Sequence, residues 1–217
     1  HIAEFPLAED RPILTDQATI TVALPADPKT VFETERLIIR LATEADADFY
    51  HTLWTHPQVM KNVGFPNGFP ITREELRERL AQAPESEFNR LLVVEQRATG
   101  ESIGECKLAW PDDEGIAEPD IKLLPEYWGQ GYGREIWTAL VAYQFEHTDC
   151  AAVQTTPNIH NPAAIRLYES VGARRIDEGV FRFPEKMQEY TTPVHHYRYR
   201  LFREDWETNE DSPEGRG

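Results

Sequence analysis

The sequence predicts an α+β fold in which a mixed, largely antiparallel sheet carries helices on both faces. Short runs of apolar and β-branched residues recur at strand length, and a Thr99-Gly100 turn joins two of them into a hairpin. Other segments place apolar residues at helical spacing, so that one stripe of each faces a core. These patterns give the order β-α-α-β-β-β-α-β-α-β-β, which is typical of an α+β domain.

Seven segments are predicted to be strands. They cover residues 35–42, 91–97, 102–110, 118–124, 151–156, 175–183 and 195–202. The last two are expected to pair antiparallel. Pro119, inside the fourth strand, removes a backbone donor from the ladder, which indicates a sheet edge or a bulge at that point.

The first two helices are predicted from their N-terminal capping residues. Thr43, with Asp46 three residues later, opens a helix that reaches Trp54. Thr72 and Glu75 form a second capping box and open the next helix. Such boxes satisfy backbone N–H groups that the first turn of a helix leaves unpaired.

Two more helices are predicted in the second half of the chain. In residues 131–145 the apolar side chains at helical spacing are Ile136, Trp137, Leu140, Val141 and Phe145. A shorter helix has Asn161 as its N-cap, Pro162 in its first position and Gly172 just past its end.

Three regions are expected along the chain. Residues 1–32 are Pro-rich and acidic and are predicted to be an irregular extension, in which residues 19–24 offer an added edge strand or a partner contact. Residues 33–207 hold the regular pattern and form the folded domain. Residues 208–217 are predicted to be a flexible tail. The extension could also serve as the arm of a homodimer.

The composition bounds the function classes. The net charge is −16, from 22 Lys and Arg against 38 Asp and Glu, which argues against a nucleic-acid partner and is compatible with a cationic substrate such as an amine. No apolar run approaches the roughly 20 residues of a membrane span, so no membrane partner is expected. The two cysteines form no disulfide framework and fit a reducing cytosol, so we expect a cytoplasmic protein.

A glycine-rich junction between a strand and a helix is the most informative segment. Gly129, Gly131 and Gly133 alternate there, and glycine permits positive φ and close approach of the backbone to a ligand. The N–H groups of such a turn and of the following helix start favour an anion. The spacing is not a dinucleotide fingerprint, because Arg134 occupies the last glycine position, and the Gly-Lys-Ser/Thr of a P-loop is missing.

Two motifs resemble those of the GNAT superfamily of acyl-CoA-dependent N-acyltransferases. Residues 128–133, Trp-Gly-Gln-Gly-Tyr-Gly, are similar to its signature Gln/Arg-x-x-Gly-x-Gly/Ala except at the first position. Residues 161–173, Asn-Pro-Ala-Ala-Ile-Arg-Leu-Tyr-Glu-Ser-Val-Gly-Ala, resemble Asn-x-x-Ala-x-x-x-Tyr-x-x-x-Gly-Phe. With the first strand, the resemblance covers residues 33–206. It is nearest to the branch that contains the ribosomal-protein alanine N-acetyltransferases.

The resemblance implies a GNAT fold in which the fourth and fifth strands splay apart and residues 33–207 form an acyl-CoA N-acyltransferase domain. Acetyl-CoA is then the cosubstrate, with its pyrophosphate on the glycine turn and its pantetheine between the splayed strands. A main-chain N–H near the end of the fourth strand would also polarise the thioester carbonyl. The cofactor contacts implied are Leu123, Leu124, Gly129, Gln130, Gly131, Tyr132, Gly133, Arg134, Asn161 and Ala164.

Two carboxylates and one tyrosine are the candidates for proton transfer. Glu118 and Asp120 fall on one face of the predicted fourth strand by alternation. The branch often carries Ala-Glu-Ile-Gly at this place, which puts Glu118 on its glutamate as general base. Asp120 as the base, a base acting through an ordered water, and two merely solvated carboxylates stay open. The resemblance makes Tyr168 the general acid, whereas its helical spacing alone fits a core aromatic.

Transfer is expected to be direct, in a ternary complex, without a metal ion. Cys106 lies on a predicted strand away from the glycine turn, so no cysteine is placed as an acyl carrier. The nearest thing to a ligand cluster, His147, Asp149 and Cys150, sits at a helix end with no matching second pair of ligands.

The acceptor is expected to be a primary amine, either a small molecule or a protein N-terminus. The loop at residues 63–70 should wall the acceptor side, and one of His195 and His196 could line that pocket. The alternative function is a non-catalytic acyl-CoA-binding module with a regulatory or scaffolding role. The two functions differ in whether a carboxylate, or a water in its place, faces the thioester.

Overall fold

A computed structural model describes residues 29–84 and 86–210. In this part of the chain no helix is both long enough and apolar enough to cross a membrane. The predicted edge strand at residues 19–24 and residues 211–217 of the predicted tail lie outside the described residues.

Nine strands of the described part form two sheets. They are β1 (Thr30–Glu33), β2 (Leu37–Leu41), β3 (Leu91–Gln96), β4 (Ser102–Lys107), β5 (Ile116–Ala117), β6 (Asp120–Leu123), β7 (Ala152–Thr155), β8 (Arg174–Phe181) and β9 (Val194–Phe202). One sheet has the order β1-β2-β3-β4-β6 and the other has the order β5-β7-β9-β8. Neighbours are antiparallel except β5 and β7, which are parallel. The predicted mixed, largely antiparallel arrangement is confirmed.

The helices of the described part lie on both sides of these strands. They are α1 (Ala47–Thr55), α2 (Pro57–Met60), α3 (Arg73–Ala81), α4 (Tyr132–His147), α5 (Pro162–Ser170) and α6 (Arg203–Glu210). Strand alternation shows the two sides directly: Leu92 and Val94 of β3 belong to a core with Trp137 of α4, whereas Val93 belongs to a core with Leu76 of α3. Burying an apolar side chain of this size stabilises the fold by about 1.5–3 kcal/mol.

The helix starts lie where the capping residues predict them. The side chains of Thr72 and Glu75 bond to each other's backbone N–H at the start of α3, and Asn161 Oδ1 accepts a first-turn N–H of α5. The box of Thr43 and Asp46 opens a short 3-10 turn that continues into α1. These starts were predictable because every partner lies within three residues in the chain.

The predicted strand at residues 118–124 is wrong at its beginning. The chain forms β5, then leaves the strand at Glu118 and Pro119, and then forms β6. β5 pairs with β7, whereas β6 pairs with β4 in the other sheet. Proline has no N–H to continue the ladder with β7, so the chain changes sheets at this residue. The splay of the fourth and fifth predicted strands, β6 and β7, is confirmed, and Pro119 lies at its origin.

Other differences concern segments without an apolar pattern. α2 occupies residues for which no helix was predicted, and His56 Nδ1 caps it by accepting the Gln58 N–H at 3.2 Å. α6 includes the first residues of the predicted tail at 208–217 and packs Trp206 against Phe145. β1 spans the predicted boundary between the extension and the domain.

A buried ion pair fixes the start of α1 against the sheet. Arg40 and Asp46 are each 8% exposed, and the guanidinium donates to both carboxylate oxygens at 2.7 and 2.9 Å. Arg40 also donates to Glu95 at 2.6 Å. Burial alone would raise the pKa of Asp46, but hydrogen bonds from Arg40 and from the Thr43 backbone hold it below its ordinary value.

We expect Asp46→Asn to lower the free energy of unfolding by about 3 kcal/mol at neutral pH, because it leaves a buried guanidinium without its bidentate partner. A carboxyl whose pKa is lowered by folding stabilises the fold above its unfolded pKa, and that contribution is lost as the pH falls through the folded pKa. The difference between wild type and variant, measured by urea unfolding, should therefore shrink below about pH 4.

Asp48→Asn is the matched control for this prediction. Asp48 pairs with Arg73 at 2.8 Å, but its side chain is 70% exposed, so the change should cost well under about 1 kcal/mol. A penalty for Asp46→Asn that stays constant from neutral pH to pH 3 would contradict the assignment.

Candidate active site

A cavity opens where β6 and β7 separate. Its walls come from β6 and the two residues before it, from β7 and the loop after it, and from α5. The side chains that matter for chemistry there are Glu118, Asp120, Lys122, Gln154, Asn161 and Tyr168. The structure thus brings both candidate bases and the candidate acid to one place from separate segments of the chain.

The two carboxylates face this cavity from different settings. Gln154 Nε2 donates to the carboxylate of Glu118. Asp120 pairs with Lys122, whose Nζ also lies 3.0 Å from Oε1 of the buried Glu105. The prediction that Glu118 and Asp120 share one face of a continuous strand is wrong, because the chain leaves the strand between them.

Sequence reasoning missed Lys122. Burial alone would lower its pKa, but the charges of Asp120 and Glu105 raise the pKa above its ordinary value. Lys122 is therefore a buried cation that compensates two carboxylates beside the cavity. No motif in the sequence indicated it, since Glu105 lies on the neighbouring strand.

Tyr168 lines the same cavity from α5. Its side chain is 6% exposed, and its ring packs edge-on against Trp137 with centroids 4.7 Å apart. Burial raises the pKa of the phenol to about 12. The residue is therefore both a core aromatic and a protonated hydroxyl at the cavity wall, so the two interpretations from sequence are compatible.

The backbone of β6 presents one edge to the gap. The Leu124 N–H donates to the carbonyl of Ile103 on the β4 side at 3.0 Å. Because hydrogen-bonded pairs alternate along an antiparallel ladder, the N–H and C=O groups of Ile121 and Leu123 point the other way, toward β7. Of the two main-chain positions expected to meet pantetheine, Leu123 faces the gap, whereas the Leu124 N–H is bonded within the sheet.

The aromatic departure from the glycine signature has a structural role. Trp128 stands at the first motif position, and its indole N–H donates to the carbonyl of Leu123 at 2.9 Å. This bond ties the start of the glycine turn to the end of β6. One lone pair of the Leu123 carbonyl is thereby used within the protein, whereas its N–H faces the gap.

The glycine turn offers backbone groups rather than side chains. Gly129 and Gly131 have φ of 74° and 83°, and Gly131 is the N-cap of α4 with no side-chain capping bond. The first N–H groups of this helix thus lack a capping side chain and suit an anion. Two residues expected to contact the cofactor have side chains that are hydrogen-bonded within the protein. The Gln130 amide donates to the Glu126 carbonyl, and the Tyr132 hydroxyl accepts from Gln96.

Arg36 organises this turn and was not predicted. Its guanidinium bonds to Glu135 at 2.6 Å and to the carbonyl of Gln130 at 3.1 Å, and it lies 4.2 Å from the centroid of the Tyr132 ring. It neutralises the carboxylate of Glu135 at the positive end of the α4 dipole. Arg134, in contrast, is exposed. Arg36 is 94 or more residues from these partners, so no local pattern could have indicated it.

These features fit a CoA molecule laid across the fork. A Cβ added to Gly129 would meet nothing within 4 Å, so the turn is open to a ligand, and a Cβ added to Gly133 would lie 3.8 Å from Leu167 Cδ2 of the cavity wall. Asn161 and Ala164 line the cavity at the start of α5, where Asn161 also caps the helix. The turn can hold phosphate, and the gap can hold an extended chain beside main-chain donors.

Asn62, Val63 and Val194 also line the cavity. Of the loop at residues 63–70, which was expected to wall the acceptor side, Val63 lines the cavity, whereas Phe65 and Phe69 are buried in the core. Neither His195 nor His196 lines the cavity, contrary to the suggestion that one of them would.

The remaining expectations concern thiols and metals. Cys106 and Cys150 are buried and neither lines the cavity. Burial raises the pKa of the Cys106 thiol well above its ordinary value. Within residues 29–84 and 86–210, no three metal-ligating side chains gather.

A forked sheet with a glycine-rich helix start beside the fork is the arrangement implied by the resemblance to acyl-CoA-dependent acyltransferases. The family model described as an acetyltransferase (GNAT) domain matches residues 36–174. The chain therefore belongs to the GNAT acetyltransferase family. The expected use of acetyl-CoA is confirmed at the level of this family.

Comparison with individual proteins agrees with this membership. The chain is 27% identical over 179 residues to Bacillus licheniformis p20, an uncharacterized N-acetyltransferase, covering 80% of this chain and 96% of p20. A spermidine N-acetyltransferase from Vibrio cholerae, solved with CoA and spermine, has a TM-score of 0.66 at 22% identity, covering 80% of this chain and 99% of that one. A Vibrio cholerae protein proposed to be a ribosomal-protein-serine acetyltransferase has a TM-score of 0.61 at 20% identity, covering 78% and 95%. At these identities the solved structures show the fold alone.

Proposed function

We propose that this protein transfers an acetyl group from acetyl-CoA directly to a primary amine. The observation that carries the proposal is that two carboxylates and a buried tyrosine line one cavity at the fork. Acetyl transfer to an ammonium requires a proton acceptor on the amine side and a proton donor at the leaving sulfur. The cavity supplies candidates for both.

Separate groups bind the cofactor and transfer the protons. The backbone at Gly129–Arg134 binds the pyrophosphate, and the Leu123 N–H is the candidate donor to the thioester carbonyl. Glu118 takes a proton from the acceptor ammonium, directly or through a water. As the new C–N bond forms and the C–S bond breaks, Tyr168 gives its proton to the sulfur. Asp120 remains the alternative base, with its charge compensated by Lys122.

The acceptor is a primary amine, either a small molecule or a protein N-terminus. The net charge of −16 favours a cationic acceptor, and the spermidine N-acetyltransferase among the structural neighbours acts on such an amine. Another structural neighbour is proposed to acetylate a ribosomal protein, so a protein N-terminus remains the second candidate acceptor. The carboxylates facing the cavity favour an enzyme over an acyl-CoA-binding module without catalysis.

The proposal is tested by thiol release from acetyl-CoA with a panel of polyamines, amino acids, aminoglycosides and peptides, alongside calorimetry with CoA. We expect CoA to bind in the micromolar range and at least one amine to release thiol. Gly131→Val should weaken CoA binding by about tenfold or more, because a side chain at positive φ strains the turn.

Gly100→Val is the matched control for the binding measurement. Gly100 also has positive φ, at 71°, but lies in the β3–β4 hairpin with nothing within 4 Å of an added Cβ. It should therefore lose comparable stability and keep CoA affinity. The absence of CoA binding to the wild-type protein would overturn the proposed function, and binding without thiol release for any amine would favour the non-catalytic module.

A further inference from the structure

Three polar side chains form a row across the four-stranded sheet, ending at the cavity. In the parallel pair of β5 and β7, Ala117 lies opposite Val153, so the next residue, Glu118, comes to lie beside Gln154. On the other side of β7, the antiparallel register places Gln154 opposite Arg200 of β9. The Ala151 carbonyl accepts the Arg203 N–H, so Gln154 and Arg200 form a non-hydrogen-bonded pair, in which side chains lie closest.

The hydrogen bonds along this row all run from donor to acceptor in the same direction, from Arg200 through Gln154 to Glu118. Arg200 Nε donates to Oε1 of Gln154 at 2.8 Å, and Nε2 of Gln154 donates to the carboxylate of Glu118. A guanidinium can only donate, so the Gln154 atom that faces Arg200 must be the amide oxygen. The amide NH₂ is therefore turned toward Glu118. Gln154 itself is 8% exposed, so the amide that joins the two charged side chains is shielded from water.

We propose that Gln154 and Arg200 are positioning residues for Glu118. Arg200 fixes the orientation of the Gln154 amide, and the amide holds the carboxylate of Glu118 at the cavity wall. Pro119, directly after Glu118, removes the backbone donor that would have continued the ladder to β7, and the side-chain bond from Gln154 replaces that tie. The inference rests on the proposed function, in which Glu118 is the proton acceptor.

Such positioning matters because proton transfer depends on geometry. Displacing a reacting group by about 1 Å can lower the rate by about 100-fold. Gln154→Met keeps a side chain of similar length and removes both hydrogen bonds. We expect it to lower kcat by about 10- to 100-fold while leaving the Kd for CoA and the KM for acetyl-CoA near their wild-type values. Arg200→Met should lower kcat in the same direction.

Gln144→Leu is the matched structural control. Gln144 is also a buried glutamine, and its amide bonds to the backbone of Ala109, away from the cavity. This variant should lose stability, read as Tm, and keep the kcat of the wild type. It separates loss of a buried amide in general from loss of the tie to Glu118.

The decisive measurement is a double-mutant cycle of Gln154→Met with Glu118→Gln. If Gln154 acts through the carboxylate of Glu118, its substitution should cause little further loss of kcat in the Glu118→Gln background. A purely structural role predicts the full loss in both backgrounds and would overturn the inference. Wild-type kcat in both Gln154→Met and Arg200→Met, with an impaired Glu118→Gln, would refute the positioning role and leave the proposed function standing. Wild-type turnover of Glu118→Gln would instead remove the base assignment and the inference together.

Discussion

Glu118→Gln is expected to lower kcat/KM for the acceptor amine by about 10²- to 10⁴-fold, the usual contribution of a positioned general base. The amide keeps the size of the side chain but cannot accept the proton of the ammonium. CoA affinity should change little, because the glycine turn that would bind pyrophosphate lies outside the cavity lining. Thiol-release kinetics at varied amine concentration and calorimetry with CoA measure the two quantities.

Asp120→Asn is the comparison that separates the two carboxylates. Asp120 is paired with Lys122, which keeps its second partner, Glu105, in the variant. We therefore expect a loss of stability, because the buried Lys122 loses its partly exposed partner, and a smaller loss of kcat/KM than for Glu118→Gln. The opposite ranking, in variants that both fold, would assign the base to Asp120. Equal, small losses in both would favour a water held by other groups.

Tyr168→Phe is expected to lower kcat by about 100-fold or more and to leave the Kd for CoA unchanged. The change removes only the hydroxyl, so the ring keeps its edge-on packing against Trp137. Because the pKa of the phenol is raised to about 12, Tyr168 keeps its proton at neutral and mildly alkaline pH, so the proton that the leaving sulfur needs is present there. The wild-type kcat should accordingly show no loss from ionisation of Tyr168 until the pH nears that value.

Tyr199→Phe serves as the control for this change. Burial likewise raises the pKa of Tyr199 to about 12, and its hydroxyl donates to Glu169 at 2.7 Å, but it does not line the cavity. The control should lose some stability and retain kcat. Turnover of Tyr168→Phe equal to that of the wild type would exclude this residue from the mechanism.

Much of the fold was predictable because the patterns that indicate it involve residues close together in the chain. The capping boxes at Thr43 and Thr72 and the Asn161-Pro162 start each involve partners within three residues, so their geometry is decided locally. The same holds for the positive φ at Gly129 and Gly131. The joint resemblance of two motifs then connected the glycine turn with α5, and Tyr168 does line the cavity beside the fork.

The errors lie where pairing between distant segments overrides a local pattern. Residues 118–124 alternate like one strand, yet the chain divides at Pro119 between two sheets. Leu123 and Leu124 are equivalent in sequence, but the ladder with β4 turns only Leu123 toward the gap. The helices α2 and α6 carry no strong apolar stripe, and neighbouring packing decides them.

The sequence alone was therefore sufficient for the order of most elements and for the backbone of the glycine turn, since these depend on φ preferences, caps and apolar spacing among near neighbours. The family followed from the joint resemblance of two motifs. The folded structure was needed for the site itself. Arg36 meets the glycine turn, Lys122 meets Glu105, and Glu118, Gln154 and Arg200 align only through strand registers. A register is set by interactions between segments tens of residues apart, and no local property of either segment specifies it.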